Sequence, residues 1–358
     1  MSRRFAMTAL TLIPLVGALG ACRKNETRRT EATGDSPVRV LREGAPFISI
    51  WKFKEEIDRA GGEKYKLEGP FNIGDPVHEA ITLRALKEAG LVEWNVDETK
   101  DVRVRDYIAG VFWNDDPECK LFDTPDTLDF SDGIDWYGDL LDAEEAVSKK
   151  KELGPGTPIL GRSHYGDLQF LHGMASRNDE MPQQTLERAL VWMKFSYGVA
   201  IGETTGDDRL TDVELLRALF PGSTQTVSEL FCVKQGKLER RAIGVLMHLL
   251  QDSYAAGHVR RQDLGGNRRG RIQQFYAYSS QDPSKHAADD AWRGGRSEGE
   301  RLANVKGALD AVSCCREVLQ LWSKRRPWPQ VKAVLDQGCF ALAPNAVPSA
   351  AGRDYEKR

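Results

Sequence analysis

The stretch "KLERRAIGVLMHLLQDSYAAGH" at residues 237–258 constrains the fold more than any other part of this chain. Its apolar residues recur at α-helical spacing and cover much of the helix circumference, which predicts a central helix buried on most sides. The same stretch carries one aspartate and two of the chain's six histidines. Because burying a carboxylate without a partner is costly, we expect this helix to hold a compensated polar centre.

Helical periodicity also dominates the rest of the chain. Residues 78–90, 183–203 and 301–322 repeat apolar residues at helical spacing, and a last helix is expected after Pro329. Alternating patterns typical of strands are scarce, and the short candidates at 47–51 and 231–236 are ambiguous. We therefore predict an all-α fold, with a single multi-helix domain over residues 45–345.

Two segments interrupt the helical pattern and are interpreted as loop insertions. Residues 118–162 are rich in Asp, Gly and Pro, and residues 262–285 mix Arg, Gly and Gln. The first is expected to be a solvated surface loop, with a substrate lid as the alternative. Arg260 and Arg261, just before the second, are interpreted as a solvated pair.

The N-terminus has the pattern of an export signal. "MSRRFAMTALTLIPLVGALGAC" has two early arginines and an apolar run too short to be a comfortable membrane span, which predicts a signal peptide at residues 1–21. "LGAC" resembles the lipobox of bacterial lipoproteins, and this resemblance implies a diacylated Cys22. We expect a polar tether at 22–44, a flexible tail at 346–358, and lipid anchoring in the bacterial cell envelope, at the outer membrane or facing the periplasm.

Charge and cysteine content narrow the function classes. Loss of residues 1–21 would remove Arg3 and Arg4, leaving 48 basic and 53 acidic residues, which argues against a polycation for duplex nucleic acid. A single-strand substrate whose phosphates meet metal ions is still permitted. Five cysteines follow Cys22, enough for two disulfides and one leftover thiol in an oxidising compartment, with the pairing open. Without a C-x-x-C pair, a zinc–thiolate site is not indicated.

Two histidine–aspartate pairs point to metal binding. His248 and Asp252 are four residues apart, so both side chains lie on one helix face, and His258 follows six residues later. His286 and Asp290 repeat the four-residue spacing. Nitrogen and carboxylate ligands without thiolate suit zinc, with manganese or iron as weaker alternatives. The sequence therefore predicts a multi-metal site.

The pattern H-x3-D-x5-H followed by H-x3-[D/E] resembles the zinc-dependent phospholipase C superfamily, which also contains single-strand-specific zinc nucleases. That resemblance implies an all-helical fold with three zinc ions in one cleft. It implies that His248 and Asp252 serve a bridged zinc pair, with Asp252 reaching both ions. It also implies that His258, His286 and Asp290 hold a separate zinc.

The resemblance implies further ligands upstream, in the family's order. They are His78 in "GDPVHEAITLRAL", Asp115 in "GVFWND" with Asp116 as the open alternative, and His164 in "RSHYGD". His172 in "FLHGMA" has no family counterpart and is interpreted as structural. The family's N-terminal tryptophan ligand also has no obvious counterpart here, so we expect two or three zinc ions.

The resemblance implies a phosphodiester hydrolase in which Asp115 holds a zinc and orients or deprotonates the attacking water. Envelope tethering favours a phospholipase C that releases diacylglycerol and a phosphorylated head group. A single-strand nuclease or nucleotidase is the alternative, and the aspartate at 290 leans towards it. Trp113, Tyr165 and Tyr276 are candidates either for base stacking or for packing. The second alternative is a non-catalytic envelope lipoprotein with a structural metal site, and no stable protein partner is implied.

Overall fold

The computed structural model describes residues 77–97, 101–120, 122–123, 127–128, 130–233, 238–282, 285–286, 291 and 293–356. All of them belong to one compact unit, Pro37–Arg358. The predicted signal peptide, the lipidated Cys22, the tether at 22–44 and the candidate ligand Asp290 lie outside the described residues.

Ten α-helices form the described part, joined by two small antiparallel hairpins. The helices are α1 (Val77–Glu88), α2 (Val102–Trp113), α3 (Phe130–Ser148), α4 (Ile159–Tyr165), α5 (Pro182–Ala200), α6 (Val227–Leu230), α7 (Leu238–Asp252), α8 (Glu298–Asn304), α9 (Ala308–Ser323) and α10 (Trp328–Val334). The strands are β1 (Phe122–Asp123), β2 (Thr127–Leu128), β3 (Val259–Asp263) and β4 (Arg269–Phe275), paired β1–β2 and β3–β4. The fold is mainly helical, as the periodicity predicts, but it is not purely α.

Helix α7 is the centre of the core. Every residue from Arg241 to Asp252 is buried, and the helix packs against α2, α5, α9 and α1. This confirms the prediction of a central helix that is covered on most sides. The helix ends at Asp252 rather than at residue 258, so His258 reaches the core from the start of β3.

Two glycines let α2 and α7 approach backbone to backbone. A Cβ atom on Gly110 would lie 2.2 Å from the carbonyl oxygen of Arg241, and one on Gly244 would lie 2.4 Å from that of Tyr107. No side chain fits between the helices at this crossing. The close contact fixes the position of α7 one turn before His248.

Local sequence signals explain several helix ends. Asp101 accepts a hydrogen bond from the backbone N–H of Arg103 at the start of α2, and Thr226 and Glu229 form a capping box on α6. The periodic stretch predicted as one helix over 301–322 is two helices. The break falls at Gly307, whose φ of +85° is a conformation that glycine adopts readily.

Both segments interpreted as loops contain regular structure, so those predictions were wrong in part. Residues 130–148, within the expected surface loop at 118–162, form the 19-residue helix α3. Most of the β3–β4 hairpin lies in the second segment. Its buried positions include Arg261 and Arg269 alongside Ile272 and Phe275. Because arginines occupy inward positions, the sequence lacks the apolar alternation that would have indicated strands.

Two disulfides join distant parts of the helical core. Cys119 is bonded to Cys232 and Cys314 to Cys339, while Cys315 is a buried free thiol. This confirms the expectation of two disulfides and one leftover thiol after Cys22. The first bond ties the loop after α2 to the segment after α6, and the second ties α9 to the turn after α10.

Residues 341–356, here called the closing segment, pack along the β3–β4 hairpin. The backbone N–H of Ala343 donates to Ile272 O at 2.7 Å, that of Val347 donates to Gln273 O at 2.9 Å, and that of Asp282 donates to Tyr355 O at 2.7 Å. The predicted flexible tail at 346–358 is therefore wrong for residues 346–356, which are held by backbone hydrogen bonds. In the part of the chain that the structure describes, no helix has the length and apolar character needed to cross a bilayer.

Candidate metal centre

Five of the six histidines of the chain meet in one cluster, and the sixth, His164, borders it. Their ring centroids are separated by 4.5 Å for His78–His248, 5.3 Å for His172–His248, 4.7 Å for His164–His172, 6.3 Å for His172–His258 and 4.6 Å for His258–His286. The side chains come from α1, α4, α7, the turn before α5 and the two ends of the β3–β4 region. Asp115 and Asp252 join the same cluster.

His172 and His248 lie between the two aspartates of the cluster. His172 Nδ1 and His248 Nε2 each lie 2.9 Å from Asp252 Oδ2, and they lie 3.3 Å from each other. Asp115 Oδ1 completes the group at 4.0 Å from the same His172 atom and 3.8 Å from that of His248. Ligands at about 2.0–2.1 Å around one tetrahedral ion lie about 3.3–3.4 Å apart. The separations of 3.3, 3.8 and 4.0 Å among His172 Nδ1, His248 Nε2 and Asp115 Oδ1 are close to that value, so these three atoms could hold one divalent ion, with Asp252 beside the two imidazoles.

The second oxygen of Asp252 faces a different imidazole. His78 Nε2 lies 3.3 Å from Asp252 Oδ1, and His78, His248 and Asp252 form a second group of side chains close enough to hold an ion. Because the two carboxylate oxygens of Asp252 face different groups, this residue has the geometry of a bridge between two ions.

Carbonyl oxygens fix the tautomers of four imidazoles. The Nδ1–H groups of His78 and His286 donate to the side-chain oxygens of Gln251 and Gln281, both at 2.8 Å. The amide groups of the two glutamines donate elsewhere, to Thr82 Oγ1 for Gln251 and to Gly257 O and Ala351 O for Gln281. The oxygen of each glutamine is therefore the atom that faces the imidazole.

The other two fixed imidazoles use backbone acceptors. His258 Nδ1–H donates to His172 O at 2.7 Å, and His164 Nδ1–H donates to Leu160 O at 3.0 Å. In each neutral ring the proton is on Nδ1, which leaves the Nε2 lone pair for a cation. Metal-ligating histidines usually donate their other ring N–H to an acceptor of this kind. His78 Nε2 and Asp252 Oδ1 then face each other as two acceptors, an arrangement that a cation between them would stabilise.

Charge coupling in the cluster is strong. Burial would raise the pKa of Asp252, but the charges of His248 and His258 outweigh it and hold that pKa well below its usual range. Burial would lower the pKa of His248, but Asp252 and Asp115 raise it to about 9. The pKa of Asp115 is lowered, because the charges of His248, His172 and His78 outweigh the desolvation of its carboxylate by the surrounding cluster. Both acids are therefore charged at neutral pH and suited to holding cations.

Two buried arginines hold the chain where α7 ends. Arg261 donates to Ser253 O at 2.6 Å and to Cys339 O, and Arg269 donates to Tyr254 O at 2.7 Å. Burial lowers the pKa of Arg261 to about 10, which leaves it protonated at neutral pH. The guanidinium groups satisfy carbonyls at the end of the helix and fix the turn between Asp252 and His258. Arg261 is thus not half of a solvated pair, as its sequence context had indicated.

The structure brings together most of the predicted ligands and adds one. His78, Asp115, His248, Asp252, His258 and His286 all lie in the cluster. Asp116, the alternative to Asp115, is buried and accepts a hydrogen bond from the backbone N–H of Lys120. His172, interpreted as structural, forms a group of potential ligands with Asp115 and His248, whereas His164, like His258 and His286, lies in neither such group among the described residues.

His164 borders the cluster beside two tyrosines. Its ring is 4.7 Å from that of His172, and burial together with the His172 charge lowers its pKa to about 3. Tyr165 and Tyr278, both half-buried, lie 5.2 Å apart between centroids, and Tyr278 is 4.6 Å from His286. No sequence signal singled out Tyr278, because nothing in the chain preceding it indicates proximity to a histidine.

The two other aromatic candidates are packing residues. Trp113 is buried against Trp192 and Phe231, and its indole N–H donates to Leu230 O at 2.7 Å. Tyr276 is buried beside Tyr355, with ring centroids 5.6 Å apart. The third aromatic candidate, Tyr165, lies beside His164, with ring centroids 6.4 Å apart.

Fold and site together define a mainly helical protein with a buried histidine–aspartate cluster that could bind divalent metal ions. Comparisons with protein-family models, curated proteins and solved structures find no significant match for this chain.

Proposed function

We propose that this protein is a metal-dependent phosphoric ester hydrolase, with zinc as the leading metal. The observation that carries the proposal is the position of Asp252, which is buried and presents one oxygen to His172 and His248 and the other to His78. A bridging carboxylate among imidazoles is the donor set of a site for paired ions. When bound, such ions neutralise charge on phosphate oxygens and lower the pKa of water.

Asp115 is the leading candidate for a catalytic residue. Its side chain is 38% exposed, whereas that of Asp252 is 1% exposed, so solvent and substrate reach Asp115 more readily. Its pKa is lowered, so Asp115 is ionised at neutral pH and can hold a cation or accept a hydrogen bond that orients an attacking water. His258 and His286 would hold a further ion, placed to stabilise the departing oxygen, with Asp290 as their proposed partner.

A phospholipid is the leading substrate, cleaved in the manner of a phospholipase C. The support is the lipobox-like "LGAC" ending at Cys22, which predicts that the protein is tethered at a membrane of the cell envelope. Tethering would keep the metal centre close to lipid head groups. The products would be diacylglycerol and a phosphorylated head group.

A single-strand nuclease or nucleotidase is the second candidate, and one observation favours it. Tyr165 and Tyr278 form a half-buried aromatic pair next to His164 and His286. Aromatic side chains beside a phosphate-binding centre can stack nucleobases, at about 1–3 kcal/mol per base.

Metal analysis and hydrolysis assays test the proposal directly. We expect the purified protein to bind two or three zinc ions and to hydrolyse short-chain phosphatidylcholine faster than single-stranded DNA. Asp252→Asn should abolish hydrolysis and reduce bound metal, because it removes the bridging charge. Asp212→Asn, which alters an exposed aspartate away from the cluster, is the matched control and should change neither quantity.

The outcomes separate the candidates. Faster cleavage of single-stranded DNA or nucleotides would favour the nuclease. Bound metal without turnover of lipids, nucleotides or oligonucleotides would favour a structural metal site in a non-catalytic envelope lipoprotein. Hydrolysis rates unchanged by a chelator and by Asp252→Asn would overturn the proposal.

A further inference from the structure

Gln281 lies at a junction of three parts of the chain. Its side-chain oxygen accepts from His286 Nδ1, and its amide group donates to Gly257 O at 2.8 Å and to Ala351 O at 2.7 Å. Gly257 precedes the candidate ligand His258, and Ala351 belongs to the closing segment. The residue is 1% exposed, so all three hydrogen bonds are shielded from water.

The junction leaves little room for rearrangement. A Cβ atom on Gly257 would lie 3.0 Å from His286 Nδ1, and one on Gly352 would lie 2.7 Å from the Tyr276 ring. Gly352 also has a φ of +86°, which side chains rarely adopt. The closing segment therefore packs closely against Tyr276 at Gly352, the residue that follows Ala351, whose carbonyl accepts a hydrogen bond from Gln281.

We propose that Gln281 is a positioning residue that couples the docking of the closing segment to metal binding by His258 and His286. The side-chain oxygen holds the His286 proton on Nδ1 and directs Nε2 towards the ion. The amide group joins the same side chain to the closing segment. Binding of that ion and docking of residues 341–356 then stabilise each other, because both require the same orientation of Gln281. The inference rests on the proposed metal centre.

Metal titration of the full-length protein tests the orienting role. Gln281→Leu removes the acceptor and both donors, and we expect one ion to bind about 10–100-fold more weakly while the ions at Asp252 are retained. Gln281→Glu keeps an acceptor for His286 Nδ1–H, so it should retain that ion. Gln320→Leu changes an exposed glutamine on α9 and serves as the matched control. Equal affinity for every ion in Gln281→Leu and in the wild type would overturn the proposal.

Hydrogen exchange tests the coupling without using catalytic activity. The N–H groups of Ala343, Val347 and Ser349 donate to the rest of the protein, so their exchange reports docking of the closing segment. In the wild type we expect zinc to slow exchange at these amides. In Gln281→Glu the new carboxylate cannot donate to the carbonyls of Gly257 and Ala351, so the link to the closing segment is lost. The ion should be retained in this variant, but zinc should no longer slow exchange at the amides of the closing segment.

Gly352→Ala tests the same coupling without altering Gln281, should Gln281→Leu fail to fold. Displacement of the closing segment should weaken binding of one ion, whereas Gly222→Ala, at a similar φ of +73° but in open space, should leave metal binding unchanged. If zinc leaves exchange in the wild-type closing segment unchanged, the coupling is absent. Neither measurement depends on whether the protein hydrolyses phosphoesters, so failure of the coupling can be told apart from failure of the proposed function.

Discussion

Several imidazoles of this cluster are oriented by hydrogen bonds from their Nδ1–H groups, on the side of the ring opposite the proposed ions. His78 and His286 use glutamine side chains as acceptors, and His258 uses the backbone carbonyl of His172. Short spacings from aspartates in the sequence pointed to His258 and His286, whereas His78 was implied by the family resemblance. It could not locate Gln251 or Gln281 as their partners, because a glutamine in a helix or a turn carries no signal of what its side chain contacts.

The sequence also could not show which of His164 and His172 contacts the aspartates. His164 was expected to be a ligand and His172 to be structural, but His172 is the one that contacts Asp252. The motif "RSHYGD" favoured His164, which lies on α4, eight residues before His172. The backbone then turns through residues 169–172, and this turn carries His172 to Asp252. Both histidines are near the cluster, so the distinction depends on a local turn that periodicity does not resolve.

Substitution of each histidine distinguishes their roles. His172→Ala should weaken binding of at least one ion by more than about 100-fold, beyond the effect of losing an orienting partner. His164→Ala should leave the number of bound ions unchanged, because, among the described residues, His164 makes no ion pair with Asp115 or Asp252, whereas His172 Nδ1 lies 2.9 Å from Asp252 Oδ2. Metal content after dialysis against a weak chelator measures both. Loss of an ion in His164→Ala, with full metal content in His172→Ala, would restore the sequence-based assignment.

At the level of elements, the predicted helices are those with an uninterrupted apolar face. The segment at 183–203 and the central segment at 237–258 correspond to α5 and α7. Helix α3 was missed because the Asp, Gly and Pro content of residues 118–162 outweighed the helical spacing of its second half. The β3–β4 hairpin was missed because its inward positions include arginines, whose charge is compensated by carbonyls that only the folded chain brings close.

The close crossing of α2 and α7 should be sensitive to a single methyl group. Gly244→Ala places a Cβ atom against the backbone of Tyr107, and the two helices have to separate to admit it. We expect a loss of about 2 kcal/mol or more in the free energy of unfolding, which exceeds the gain in helix propensity. Since His248 lies one turn further along α7, metal binding should weaken as well. Denaturant unfolding and zinc titration measure the two effects.

Gly138→Ala is the matched control for that substitution. Gly138 lies within α3, and a Cβ atom there would meet no other atom within 4 Å. This change should raise the free energy of unfolding by up to about 1 kcal/mol. If Gly244→Ala were equally stabilising, the α2–α7 crossing would be looser than described.

The two disulfides should contribute unequally to stability. Cys119 and Cys232 are 113 residues apart in sequence, whereas Cys314 and Cys339 are 25 apart. In the loop-entropy model, removal of the longer link costs about 4–5 kcal/mol and removal of the shorter about 3–4 kcal/mol. Urea unfolding of the two double Cys→Ala variants gives the comparison, with Cys315→Ala as the control. A larger loss from removing the shorter link would contradict the entropic explanation.

At the scale of the whole molecule, metal binding should contribute to the stability of the fold. The ligands come from helices and turns on all sides of α7, so ions at the cluster would bind the native state in preference to the unfolded chain. At a free zinc concentration 100 times the dissociation constant, one site adds about 2.7 kcal/mol. Chelation should therefore lower the thermal midpoint by several degrees.

Calorimetry with and without a chelator measures this dependence. In Asp252→Asn the chelator should lower the unfolding temperature less than in the wild type, because the ions at Asp252 are lost and only the ion at His258 and His286 is retained. A wild-type midpoint that is independent of zinc would show that the cluster does not bind ions in the native protein.

Much of the site could be predicted from the sequence, because six of the eight candidate ligands lie together in the described cluster. His164 lies beside it, and Asp290 is outside the described residues. The parts that could not be predicted depend on tertiary contacts: the turn that carries His172, the arginines that close the end of α7, and the backbone pairing of residues 341–356 with the hairpin. None of these leaves a periodic pattern in the sequence.

The closing segment also bears on biosynthesis. A nascent chain leaves the ribosome N-terminus first, and His78 emerges long before His286. Even when every histidine has emerged, Gln281 lacks its final acceptor until Ala351 has been made. We therefore expect the centre to be completed only after residue 351 has emerged from the ribosome.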